Sequence, residues 1–206
     1  MGRSFLSPPG GVYISVILRP ECAPDRLMHL TCAAAVAGCE AVAAVIGICP
    51  GIKWTNDLVF DRKKLGGILT EVAVNSTTGQ VDYAIIGIGI NCHKTQFSPE
   101  LQCTVTSIEE ITGCQCAPAR LDAALMEKLH KMDKNLIHNK TQIMNAYRRS
   151  CITPGMEIKV ARGEEIRYGT ALDIDDDGGL RVRFSDGAVK TVTSGEVSIR
   201  GMYGYL

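Results

Sequence analysis

The sequence has no net charge: 22 Lys and Arg balance 22 Asp and Glu. Without a basic excess it offers no bulk field for nucleic acid or an anionic membrane. It shows no helix-turn-helix pattern and no zinc-finger spacing. No signal peptide is apparent, because Met1-Gly2-Arg3-Ser4 runs into Pro8-Pro9-Gly10-Gly11 without an apolar stretch between them. The longest apolar run, Ala33 to Cys49, is Ala-rich and broken by Gly38 and Glu40, so it reads as a buried helix rather than a membrane span. There is no internal repeat and no low-complexity segment. What remains is an ordinary composition, 46% hydrophobic and 21% charged, which excludes disorder. The expectation is a soluble, cytoplasmic globular protein with no nucleic-acid and no membrane partner.

Motifs of familiar chemistries are also missing. The four histidines, His29, His93, His130 and His138, have no ligand spacing, and no nucleophile motif with a base partner is visible. The nine cysteines are odd in number and several sit in apolar runs, which suits reduced thiols better than a disulfide scaffold. Cys114-Gln115-Cys116 lacks zinc spacing and reads as a loop feature. Asp173-Ile174-Asp175-Asp176-Asp177-Gly178 opens like an EF-hand loop, but its twelfth position is Phe184 where a bidentate Glu is needed. It is expected to be an acidic hairpin turn.

Local patterns suggest two kinds of texture. Val12 to Leu18 is β-branched and apolar, a strand ended by Pro20. Asp25 to about Ile46 has helical periodicity, with stops at Gly47 and Pro50-Gly51. Extended segments follow at Ile52-Lys53-Trp54 and Leu58-Val59-Phe60, then a hairpin of Leu65–Val74 and Val81–Ile90 around a polar turn. Helical pattern returns at 120–134 and 140–149. After Pro154-Gly155 the chain changes to short alternating strands, Glu157–Val160, Ile166–Ile174, Leu180–Phe184, Val189–Val192 and Val197–Ile199, as in a small β-barrel. The expected division is an α/β domain over residues 1–152 and an SH3-like barrel over 153–206.

Two constellations could carry chemistry. The first is Lys53-Trp54-Thr55-Asn56-Asp57 followed by Lys64-Leu65-Gly66-Gly67-Ile68-Leu69-Thr70-Glu71. Glycine weakens a strand and usually lets something approach its backbone. A lysine beside that approach suits a carboxylate or phosphate. The same residues fit a hairpin with surface lysines and a glycine bulge, and the pattern alone leaves both open. The second is Gly87-Ile88-Gly89-Ile90-Asn91, which bares one side of a strand end. It is not a dinucleotide fingerprint, since the third glycine and the following helix are absent. An Asn there could read an adenine edge with its amide.

Together these segments resemble biotin–protein ligases. Gly2-Arg3-Ser4-Phe5 with Ser7-Pro8-Pro9-Gly10-Gly11 is similar to the end of that family's glycine/arginine loop. Lys53 to Asp57 is similar to its Lys-Trp-Pro-Asn-Asp, with Thr55 for Pro. Lys64 to Glu71 resembles its lysine strand, Gly87 to Asn91 its Gly-x-Gly-Ile-Asn, and Gly195 to Arg200 the closing motif of its C-terminal barrel. The resemblance runs the length of the chain in order. It implies a mixed β-sheet flanked by helices, of the α/β biotin/lipoate ligase kind related to class II aminoacyl-tRNA synthetases. It also implies two steps: biotin and ATP, with Mg²⁺, give biotinyl-5′-AMP, and the biotinyl group passes to a lysine of a biotin carboxyl carrier domain.

The resemblance further implies residue roles. Lys64 contacts the biotin carboxylate and the α-phosphate. Gly67 and Leu69 lie along biotin, and Gly66, Gly87 and Gly89 count with them among the ligand-binding residues. Asn91 reads adenine, and Phe5 stands in place of a stacking Trp. Asp57 lies near the acceptor lysine or a metal, Arg3 belongs to the phosphate loop, and Arg200 reaches the nucleotide from the barrel. No residue is expected to be a resident metal ligand.

Departures matter as well. Met1 immediately precedes Gly2, so the loop's earlier arginines and the upstream biotin-ureido residues are not in this sequence. Much reduced adenylation and weak biotin affinity are therefore expected of this polypeptide alone. A non-catalytic remnant and a lipoate-ligase relative are the alternatives. No repressor role is expected, and a homodimer through the sheet is left open.

Overall fold

A computed structural model describes residues 7, 9–27, 29–94, 103–193, 196–200 and 202. Its elements, in chain order, are β1 (Val12–Leu18), a 3-10 turn (Pro24–Leu27), α1 (Leu30–Ile46), β2 (Gly51–Lys53), β3 (Asp57–Phe60), β4 (Lys63–Val74), β5 (Val81–Ile90), α2 (Ile108–Thr112), α3 (Pro118–Asn135), α4 (Lys140–Ser150), β6 (Glu157–Arg162), β7 (Glu165–Ile174), β8 (Leu180–Phe184), β9 (Val189–Val192) and β10 (Glu196–Ile199).

The first five strands form one sheet in the order β1-β5-β4-β3-β2. Every ladder in it is antiparallel. The parallel pairings among the described residues are the isolated bridges Ile52–Cys151 and Lys64–Val105. The β3–β4 hairpin turns on Asp61 and Arg62, at φ 45° and 61°. Two successive residues at positive φ match the right-handed twist of the flanking strands.

The central helix α1 covers one face of this sheet. Ala33, Ala34, Ala35, Ala37 and Ala41 are buried within it, and their small side chains let the helix lie close to the strands. Gly38, an interruption in the sequence pattern, has a packing role: a Cβ there would stand 3.1 Å from Leu58 of β3. The segment Pro24–Ile46 is long and apolar enough to cross a membrane by length and composition, but here it is core. It packs against α3 and α4, which bury Leu121, Leu125, Leu129 and Met132, and Met144 and Tyr147.

The single helix expected from Asp25 is a 3-10 turn followed by α1. The reason lies at the α1 N-cap, His29, whose ring is buried and whose Nε2–H donates to the Leu136 carbonyl at 2.9 Å. Helix α1 ends at Gly47, at φ 72°, with its N–H on the Ala43 carbonyl, a left-handed cap suited to glycine.

The last five strands form a second antiparallel sheet, β10-β6-β7-β8-β9. Ile158, Val160, Ala171, Ile174, Leu180, Val182 and Phe184 fill its inner side. β9 and β10 are its two edge strands, and no ladder joins them among the described residues. The acidic hairpin tip is as read from sequence: the Asp175 carboxylate accepts from the Asp177 and Gly179 N–H groups.

That tip docks onto the first unit. Arg148 on α4 pairs with Asp176 and donates to the Ile174 carbonyl, and Lys140 pairs with Asp177. The Trp54 indole N–H donates to the Gly178 carbonyl at 2.8 Å, and the Trp54 backbone N–H to Thr153 at 2.8 Å.

Candidate active site

Side chains directly opposite on paired strands share a face. One row crosses all five strands of the first sheet: Lys53 opposite Asp57, Asp57 opposite Gly67, Gly67 opposite Gly89, and Gly89 opposite Tyr13. A second row on the same side runs Leu69, Gly87, Ser15. The rows flanking the first one point the other way. They hold Leu58, Gly66, Ile90 and Val12, then Ile68, Ile88 and Ile14, and they are mostly buried against the core. The sheet therefore has a packed isoleucine face and a bare glycine face.

On the bare face Leu69 stands 60% exposed. A Cβ on Gly87 would have no neighbour closer than 3.8 Å. Around Gly87 and Leu69 the strands carry no bulky side chain on this side, so a flat or chain-like ligand can approach the backbone.

Charge collects at one end of this face. The Lys64 ammonium is 2.6 Å from Asp57 Oδ1, and the Lys53 ammonium is 3.5 Å from Asp57 Oδ2. The three differ in access: the Lys64 side chain is 42% exposed, Asp57 13% and Lys53 9%. Lys64 is thus the group that an incoming anion can reach. It lies directly over Gly67, where a Cβ would meet its Cε and Nζ at 3.3 Å. Gly67 makes room for the lysine as well as for a ligand.

The two glycines of the lysine strand have different jobs, which the sequence did not reveal. A bulge between Leu58 and Val59 of β3 and Gly66 and Lys64 of β4 leaves Leu65 as the extra residue. Gly66 thereby faces the core side, where a Cβ would strike the Gly89 carbonyl at 2.4 Å. It was expected along the ligand. The structure gives it a close approach of backbones instead.

Asn91 follows β5 at the edge of the bare face. Its side-chain N–H donates to the Thr106 carbonyl at 3.0 Å, and its backbone carbonyl accepts from the Ile108 N–H. The 104–106 segment brackets Lys64 in turn, through Lys64 N–H to Thr104 O and Thr106 N–H to Lys64 O. Asn91 and Lys64 are thus tied to the same short segment. α2, which sequence reading missed, begins just beyond it, capped by the Ser107 hydroxyl accepting from the Glu110 N–H.

The other expected residues divide. Arg3 and Phe5 lie outside the described residues. Arg200 is at the end of β10, its guanidinium 2.7 Å from Glu157 of β6, on the second sheet rather than the glycine face. Within Lys53–Asp57 only the two ends reach the site. Trp54 bolts on the second unit. The Thr55 carbonyl accepts from the buried Tyr147 hydroxyl at 3.0 Å, and the Asn56 amide donates to the Ile68 carbonyl at 2.6 Å. The Trp54–Thr55 peptide is cis. In the sequence Lys53 stands out only as part of the Lys53–Asp57 motif. Its signal was a lysine at the end of a buried strand, four residues before an Asp.

Titratable groups packed in the core are held neutral. All nine cysteines are free. Burial pushes the Cys32 thiol up to about 12, and burial together with neighbouring Cys116 does the same for Cys92, so both stay protonated. Tyr13 is raised by burial and then by Cys92. A resident metal does not fit the described residues. No group of three or more His, Cys, Asp or Glu side chains comes together among them, and both oxygens of Asp57 face lysines.

Residues 1–91 match the model of the biotin/lipoate A/B protein ligase family, and residues 155–200 that of the biotin protein ligase C terminal domain. The chain is similar to the bifunctional ligase/repressor BirA of Bacillus subtilis, 31% identical over 97% of this chain and 62% of that protein. It is also similar to the biotin–[acetyl-CoA-carboxylase] ligase of Mycobacterium tuberculosis, 30% identical over 82% of this chain and 61% of that protein. The chain thus spans about three-fifths of the length of these curated relatives. Among solved structures, it resembles the biotin protein ligase from Aquifex aeolicus in complex with biotin and ATP. The TM-score is 0.79 at 27% identity, over 97% of this chain and 82% of that one.

Proposed function

Because this chain belongs to the biotin protein ligase family, we propose that its glycine face receives biotin and ATP and forms biotinyl-5′-AMP. The biotinyl group then passes to a lysine of a biotin carboxyl carrier domain. The observation that carries the reading is Lys64: an accessible ammonium over Gly67, at the end of the glycine face.

In the first step a biotin carboxylate oxygen attacks the α-phosphorus of ATP and pyrophosphate leaves. Negative charge builds on the phosphoryl oxygens, so a fixed cation beside them lowers the barrier, by about 3–4 kcal/mol for one well-placed donor. Lys64 holds the carboxylate and the α-phosphate together. Asp57 orients that lysine. Leu69, Gly67 and Gly87 form the surface for the apolar part of biotin. Gly89 and Asn91 border the nucleotide; the Asn91 carboxamide oxygen accepts from the adenine amino group, while its N–H stays on Thr106. By their places in the family's motif, Arg3 is assigned to the phosphates, Phe5 to the base and Arg200 to the nucleotide. Mg²⁺ arrives with ATP as part of that substrate, neutralising the phosphates.

In the second step the acceptor lysine amine attacks the biotinyl carbonyl and AMP leaves. Asp57, the carboxylate of the row beside Lys64, is the one assigned to that approach. The domain boundary falls at residues 152 and 153, and the second sheet belongs to an SH3-like barrel. Biotin is favoured over lipoate by the match of residues 155–200 to a C-terminal domain of biotin protein ligases.

The test is incubation of the chain with MgATP and either biotin or lipoate, with acyl-adenylate followed by mass spectrometry. Slow accumulation of biotinyl-5′-AMP is expected, and no lipoyl-AMP. Lipoyl-AMP alone, or no adenylate of either kind, would contradict the proposal.

A further inference from the structure

Lys53 is nearly buried, yet nothing in the reaction as derived uses it. Its ammonium faces the Asp57 carboxylate from one side while Lys64 faces it from the other, at 3.5 Å and 2.6 Å. Strand pairing fixes this arrangement, since Lys53 and Asp57 are opposite each other on β2 and β3. Asp57 is itself mostly buried. A carboxylate so placed is costly to leave without a partner.

Binding an anion requires Lys64 to turn away from Asp57. With a single partner, Asp57 would resist that move, because it would be stranded. We propose that Lys53 is a positioning residue: it is the reserve counter-charge of Asp57 and so allows Lys64 to leave that carboxylate for an anionic ligand. The exchange moves no proton and breaks no covalent bond. In the resting state the trio is Lys53, Asp57, Lys64. In the loaded state Asp57 keeps Lys53, and Lys64 takes the carboxylate or phosphate. The inference rests on the reading that the glycine face binds an anionic ligand, but its test needs no ligand.

The experiment is acetylation of the folded chain with a limiting amine-reactive ester, read by tandem mass spectrometry as the rate at Lys64 relative to exposed Lys63. Removing Lys53's charge in K53M should make Asp57 hold Lys64 harder. The Lys64 rate should fall about threefold or more, the low end of coupling between contacting charges. K53R should keep the wild-type rate. D57N should raise it, and K53M/D57N should match D57N. A Lys64 rate unchanged or raised in K53M overturns the proposal. Should K53M fail to fold, a folded K53M/D57N supports Lys53 as the counter-charge of Asp57, and failure of both overturns it. A wild-type chain that makes no biotinyl-5′-AMP would sink the functional reading and leave this test standing.

Discussion

The two faces of the first sheet are built from alternate residues of the same strands. Along β4 and β5, Ile68, Ile86, Ile88 and Ile90 turn toward α1 and are buried. Gly67, Leu69, Gly87 and Gly89 turn the other way. The comparison teaches how stability and chemistry share one short stretch of chain. The packed face holds the sheet rigid, so the bare face can stay open without side chains of its own to support it. Single substitutions should therefore sort by face.

The largest stability effect belongs to the packed face. Ile86→Ala should destabilise the fold by about 2–5 kcal/mol in denaturant unfolding. Its neighbour across the sheet plane, Leu69→Ala, should stay within about 0.5 kcal/mol. Equal losses would erase the distinction between the faces.

Next in size is the pair of adjacent glycines. Gly66→Ala puts a methyl against the Gly89 carbonyl and should cost about 1–3 kcal/mol, as over-packing does. Gly67→Ala should leave the unfolding midpoint nearly in place while slowing adenylate formation, because its methyl displaces only the flexible end of Lys64. The reverse pattern would mean that the bulge at Leu65 is misassigned.

A smaller effect tests the join between the two units. Trp54→Phe keeps the ring but loses the bond to the Gly178 carbonyl, a loss of about 1 kcal/mol, seen as earlier unfolding of the second sheet by hydrogen exchange.

The smallest concerns His29 beneath the packed face. Burial, the main cause, lowers it below its ordinary 6.5, and its Nδ1 is buried with no partner among the described residues. The unfolded chain takes up this proton before the folded one does, so folding stability is full above about pH 6.5 and declines as pH falls through the folded value. His29→Gln should flatten that decline between pH 7 and pH 5, measured by urea unfolding. An unchanged slope would remove His29 from the account.

Much of this was legible before the structure. β5 runs from Val81 to Ile90 as read, because β-branched residues and flanking turn residues mark strands strongly. The lysine strand, the GIGIN strand and the second-unit strands were found for the same reason. What was not legible depended on register. The bulge that turns Gly66 inward is a feature of strand pairing, and no local pattern encodes it. The pairing of Lys53 with Asp57 likewise needs β2 beside β3. The 3-10 turn before α1 was hidden because its cause, the His29–Leu136 bond, spans the chain. α2 was too short for a periodic signal.

The central claim is that Lys64 on the bare face does the chemistry and does not hold the fold. Biotin-dependent exchange of labelled pyrophosphate into ATP, measured for the wild-type chain and Lys64→Met beside their unfolding midpoints, tests it most directly. The account predicts a loss of about a hundredfold or more in exchange with an unchanged midpoint. Exchange that survives in Lys64→Met, or a loss accompanied by unfolding, would contradict it.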